Sequence, residues 1–232
     1  MNPKGNIWLA IGTSDTGKTH TVMEMAYGFS ERSRIPKSII VFDHTNNSSY
    51  HKYNLRPLSL HDLYYIRPEH LVRGIVQSDD IDEFCRIVTM YIERCIIIFD
   101  DCGVHFRGNL TTDRESLLKT RKNNGTELIF QTHTFREIAP SLLDQTNMFI
   151  LKETVDDPED LPSKVTAKRE ISYLLIEIIR ENLRREEDQK WATRIYDPHA
   201  YKVWIQNPDT TNFKIVSGND YFPFSAKKRY AL

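Results

Sequence analysis

Hydrophobic runs long enough to cross a bilayer are missing from this 232-residue chain: no stretch approaches the roughly 18 consecutive apolar residues that a spanning helix requires. Cysteine is scarce. The three present, Cys85, Cys95 and Cys102, show neither a disulfide framework nor metal-ligand spacing, so reduced thiols in or near the core are expected. With 9 glycines and 10 prolines the chain is neither collagen-like nor of low complexity. An excess of charge is also lacking, because the formal net charge is −1, which argues against a protein that wraps nucleic acid over its whole surface. Such contact would have to come from local groups: Arg32, Arg34 and Lys37; Lys119, Arg121 and Lys122; or Lys227, Lys228 and Arg229. No secretory signal pattern precedes the first apolar run, so a soluble, cytoplasmic protein is expected.

What is there is an alternation of strand-like apolar runs with helix-like amphipathic segments, the pattern of an α/β protein whose mostly parallel sheet is sandwiched by helices. Strands are expected at residues 6–11, 38–43, 95–101, 127–133 and 148–151, with a weaker one at 75–77. Helices are expected after residue 18, over 79–93 with Asp79 or Asp80 as its cap, and over 112–123. Residues 44–67 are polar, aromatic and turn-rich, and read as an irregular excursion with a short helix near 60–64. Beyond residue 155 the character changes. An acidic linker at 156–160 leads to a long charged helix over 163–189 and a small antiparallel extension, dividing the chain into a core, 1–155, and a C-terminal part, 156–232.

The most specific motif is Gly12-Thr13-Ser14-Asp15-Thr16-Gly17-Lys18-Thr19, which follows the apolar run Ile7-Trp8-Leu9-Ala10-Ile11 and opens a helix with His20. It fits the phosphate-binding loop GxxxxGK[ST] in pattern and context. Its backbone N–H groups would cradle an anion at the positive end of a helix dipole. Lys18 would reach the β- and γ-phosphates of ATP, and the Thr19 hydroxyl would ligate Mg²⁺. At Gly12 or Gly17 a side chain would obstruct the turn or the approach of phosphate.

Ligands of open α/β sheets bind at the carboxyl ends of the strands. Asp43, Asp100, Asp101, Gln131 and His133 all fall there, beside the phosphate loop. An apolar strand ending in acid supplies the second half of a nucleoside-triphosphatase site, in which Asp100 would hold the metal and Asp101 would polarise the attacking water. Gln131 and His133 share one face of their strand by its period of two, and either could sense the γ-phosphate.

The run from Arg121 through Gly125 to Gln131-Thr132-His133, then Ile138-Ala139-Pro140 and the strand at 148–151, resembles the final part of FtsK–HerA-type P-loop ATPases. That superfamily includes DNA translocases, viral packaging ATPases and Zot-like phage proteins, and the resemblance covers about residues 5–155. It implies a P-loop NTPase fold of RecA/FtsK type and a homo-oligomeric ring, hexameric or pentameric. It implies an arginine acting on a neighbour's site as well, with Arg121 the first choice and Arg107 and Arg114 behind it. A short stand-alone motor is most similar to packaging ATPases, so double-stranded DNA and a capsid or portal-vertex protein are the implied partners, in the host cytoplasm or the virion. Two rivals share the loop: a nucleoside or small-molecule kinase, with Arg107 and Arg114 in a lid, and a nucleotide-gated assembly protein.

Overall fold

The computed structural model describes residues 5–186, 191–206 and 212–224. The apolar runs become parallel strands: β1 (Ile7–Ile11), β2 (Ser38–Phe42), β3 (Arg56–Leu58), β4 (Arg73–Val76), β5 (Cys95–Phe99), β6 (Glu127–Thr132) and β7 (Met148–Leu151). β8 (Arg194–Asp197), β9 (Lys202–Gln206) and β10 (Phe213–Ser217) continue the same sheet antiparallel, β8 pairing with β7. The order across the sheet is β10-β9-β8-β7-β1-β6-β5-β2-β4-β3, so the part after residue 156 lies alongside the core as added strands.

The central strands β1, β2, β5, β6 and β7 are buried at every position, which is why their sequences run apolar without alternation. Their side chains divide between two cores. On one face Trp8, Ala10, Ile39, Val41, Ile96, Ile98 and Ile129 pack under Val22, Met23 and Ala26 of α1 (Lys18–Arg32). The opposite face carries Leu9, Phe42, Ile97, Phe99, Leu128 and Phe130, covered by α2 (Ile81–Tyr91), α3 (Thr112–Asn124), the short α4 (Pro140–Gln145) and α5 (Lys168–Asn182). Phe99 and Phe130 stack at 4.8 Å in its centre, and the last element, α6 (Gly218–Tyr221), closes this side beside β10.

Local signals set the helix ends. The Asp80 carboxylate accepts from the Glu83 N–H at 2.9 Å to cap α2, and α3 stops at Gly125 in the left-handed region, φ 62°. The helix expected over 163–189 is shorter. Val165 is buried in a non-helical turn, Ala167 at φ 55° precedes α5, and the helix ends at Asn182, whose side chain is turned inward and bonded to other segments. Residues 187–189 of that expectation, and the Lys227, Lys228, Arg229 group, lie outside the described residues. The excursion at 44–67 holds an unexpected strand, β3. Its Pro57 suits an edge, where a missing N–H costs no ladder bond. The expected helix near 60–64 is a 3₁₀ turn, His61–Tyr65.

All three cysteines are buried and free. Among the described residues no helix is long and apolar enough to cross a membrane.

Candidate functional site

The phosphate loop joins β1 to α1 and is pinned from the β7 side. Thr13 donates its N–H to the Glu153 carbonyl at 2.8 Å, and the buried Thr16 hydroxyl donates to the Thr13 carbonyl at 2.8 Å. A Cβ on Gly12 would come within 2.8 Å of the Lys152 Cβ and 2.9 Å of the Thr16 Oγ1, so no side chain fits. Gly17 sits at φ 72°, and Asp15 at φ 61°. Lys18 curls over the loop, donating to the Gly12 carbonyl at 2.6 Å with its Nζ 3.4 Å from His133 Nδ1. Burial lowers its pKa, while Asp100 and Asp101 pull it back up.

A cavity of about 710 Å³ opens above, lined by Thr13, Ser14, Asp15, Gly17, Lys18, Thr19 and His20 of the loop and the start of α1. Gly12 and Thr16 shape the loop from behind, outside that lining.

Asp100 and Asp101 enter the cavity from the end of β5. Asp100 is 5% exposed and held on both oxygens: Asn47 Nδ2 donates to Oδ2 at 3.0 Å, and the Tyr50 hydroxyl donates to Oδ1 at 3.0 Å. Burial raises its pKa, and these two bonds act against that rise. Asn47 is itself placed by Asp43, which accepts from the Asn47 N–H at 2.7 Å and from the Thr45 N–H and hydroxyl. The polar excursion after β2 is thus the scaffold of the β5 carboxylate. Asp101 stands at φ 42° and points its Oδ1 to within 3.7 Å of His133 Nε2.

Thr19 and Asp100 offer oxygen donors to the same cavity. Among the described residues no group of three or more His, Cys, Asp or Glu forms a metal cage. This donor set fits Mg²⁺, which keeps most of its shell as water and phosphate and takes one or two protein oxygens.

The two sensor candidates separate. His133 lines the cavity between Lys18 and Asp101. Gln131 is fully buried behind it, donating through Nε2 to the Tyr50 hydroxyl at 2.7 Å, so it reaches Asp100 only through that tyrosine.

Arg121 departs most from expectation. It is 5% exposed, packed near Gly5 and the start of β6, at the strand ends opposite the phosphate loop. Its guanidinium donates to the Leu118 carbonyl and to Gln145 Oε1. In this conformation its side chain is buried between α3 and α4 rather than presented to solvent. Arg114 is tied to Asp82 at 2.9 Å and to the His105 carbonyl, whereas Arg107 is exposed in the loop after Asp101. Lys37 is also buried, against Glu127 at 3.6 Å and the Gly125 carbonyl at 3.0 Å. Two of the basic groups considered for nucleic acid therefore lose a member each.

Sequence reasoning missed Asn47, Tyr50, Lys152 and Trp191, all in or against the site. Lys152 follows β7 and is 1% exposed, donating to Thr193 Oγ1 at 2.8 Å. Burial, then the nearby Lys18 and Arg185 charges, push its pKa down to about 7.

No protein-family model and no curated protein sequence matches the chain. Solved structures do. The genome-packaging NTPase B204 of Sulfolobus turreted icosahedral virus 2 in complex with AMP is 21% identical, with a TM-score of 0.60 over 90% of this chain and 100% of that one. Its complex with ATP-gammaS gives 18% identity and a TM-score of 0.56 over 93% and 98%. B204, the DNA-packaging ATPase of Sulfolobus turreted icosahedral virus, gives 19% identity and 0.55 over the same shares. The chain has the P-loop NTPase fold and is similar across nearly its whole length to these viral packaging NTPases.

Proposed function

We propose that the protein is an ATP-hydrolysing motor that assembles into a ring and translocates double-stranded DNA, packaging a viral genome into a capsid. The observation that carries this reading is the meeting of Lys18, Thr19, Asp100, Asp101 and His133 around one cavity over the phosphate loop, in a fold similar to packaging NTPases.

The loop amides and Lys18 bind the phosphates, the lysine leaving the Gly12 carbonyl to reach the β- and γ-oxygens. Thr19 and Asp100 would hold Mg²⁺, which would supply charge neutralisation at those oxygens. Asp101 orients the attacking water and receives its proton. His133, in reach of both Lys18 and Asp101, reports the γ-phosphate. Gln131 is a positioning residue, acting on Asp100 through Tyr50. Arg107 is the exposed arginine nearest in sequence to Asp101, and takes the trans-acting role for which Arg121 is buried. A portal-vertex or capsid protein recruits the ring.

The test is ATPase rate against protein concentration, with and without double-stranded DNA. A ring motor gives cooperative, DNA-stimulated hydrolysis, abolished in Lys18→Ala; Asp101→Asn retains nucleotide but stops turnover. Hydrolysis linear in protein and indifferent to DNA, or a parental rate in Asp101→Asn, would overturn the reading. Phosphate transfer to a small acceptor would identify a kinase instead.

A further inference from the structure

The cavity has a second end, away from the carboxylates. β5 lies on one side of β1, and β7 with β8 on the other. A phosphate chain seated on the loop after β1, with its terminal phosphate toward Asp100, Asp101 and His133, leaves the β8 side for the rest of the ligand. Trp191, three residues before β8, lines the cavity there. Its Cγ lies 3.9 Å from where a Cβ on Gly17 would sit. The indole is 51% exposed, and among the described residues it is the one Trp, Tyr or Phe side chain of the lining.

The segment carrying it is anchored by buried polar groups. The Trp191 carbonyl accepts from Thr193 Oγ1 at 2.9 Å, and that hydroxyl accepts from Lys152 Nζ at 2.8 Å. The Ala192 N–H donates to Asn182 Oδ1 at 3.1 Å, and Asn182 Nδ2 donates to Glu153 Oε2 at 2.7 Å. Glu153 also holds the phosphate loop, through Thr13. The two residues that follow β7 therefore tie Trp191 and the loop to one another. An exposed indole on a backbone tied to the phosphate loop is a preorganised stacking surface.

We infer that Trp191 is the nucleobase platform of this site, stacking a purine against its exposed face while the loop holds the phosphates. The inference rests on the nucleotide reading above and names the part of the ligand that reading leaves unassigned. Stacking responds to ring area, so it favours purine over pyrimidine nucleotides and separates adenine from guanine little.

The experiment is equilibrium binding of ATP, CTP and inorganic tripolyphosphate to the full chain, its Trp191→Phe and its Trp191→Ala variants. Trp191→Ala is expected to weaken ATP about tenfold or more, to narrow the preference for ATP over CTP, and to leave tripolyphosphate unchanged. Trp191→Phe retains most of the ATP affinity, and in steady state the alanine variant raises KM with kcat held. Tryptophan emission lost in Trp191→Phe should be the part that ATP quenches and tripolyphosphate does not. Equal weakening of ATP and tripolyphosphate would mean that Trp191 only supports the loop, and unchanged ATP binding would mean that the base lies elsewhere; either overturns the platform. A parental chain that binds neither ligand overturns the nucleotide reading itself.

Discussion

Lys152 shows what one buried side chain does to the energetics of this site. An amine depressed to about 7 is neutral in the folded protein over a pH range where the unfolded chain, with its lysine near 10.4, is protonated. The unfolded state then binds more protons between those values, so this group's contribution to stability rises with pH through that window. Its penalty is complete below about 7 and gone above the unfolded value. Lys152→Met removes the titration and keeps the volume. It is expected to raise the melting temperature at pH 7, by a free energy on the order of a few kcal/mol, and the advantage over the parent should shrink as pH rises to 10.5. Melting curves across pH 7 to 10.5 check this; an advantage independent of pH would mean that packing, not proton binding, separates the two.

The residues of the site divide by how they reach it. Gly12, Lys18, Thr19, Asp100 and Asp101 are legible because the motif is contiguous or ends an apolar run, so local spacing places them. Asn47, Tyr50, Lys152 and Trp191 arrive by tertiary approach from a polar excursion, a strand end and a loop after α5. Their spacing repeats nothing that a motif could capture. The burial of Arg121 was not legible for the converse reason: its place in the chain carries the resemblance, while its side chain follows the packing of α3.

At the scale of elements, strands buried on both faces were readable because burial alone dictates their composition. β3 was not, being a short edge strand interrupted by Pro57. The end of α5 was not readable either, since the charged amphipathic pattern continues past it. Asn182 stops the helix by turning its side chain to Glu153 and Ala192. Asn182→Leu would leave the buried Ala192 N–H and the half-buried Glu153 carboxylate without these bonds, at a cost of about 2 kcal/mol or more. A lowered midpoint of urea unfolding is the expected result, and weaker ATP binding with it, because the same contacts position Trp191. An unchanged midpoint would show that the helix ends for another reason.

For the whole molecule, the proposed ring makes each site a joint property of two copies. Arg107→Ala should slow hydrolysis by about 10³ if the guanidinium stabilises the transferring phosphoryl group. Mixing Arg107→Ala with Lys18→Ala then separates the possibilities. Lys18→Ala is inactive alone and Arg107→Ala strongly slowed, but a mixed ring places an intact phosphate loop of one copy against an intact Arg107 of the next, so activity returns. An arginine serving its own chain gives no recovery. Arg121→Ala in the same mixture controls for the buried arginine, and is expected to lower stability more than it alters turnover.

The unequal rims of the sheet bear on how copies can meet. One rim is β3, three residues long with a proline in it; the other is β10, five residues with no proline and half-exposed or exposed side chains. Among the described residues, backbone pairing by an incoming strand is blocked at the first and available along the second. Growth through a single usable rim is self-limiting: two copies joined there present only blocked rims outward. Copies crowded into the proposed ring would therefore carry little risk of a runaway fibre, and could pack closely around a common axis without their sheets fusing.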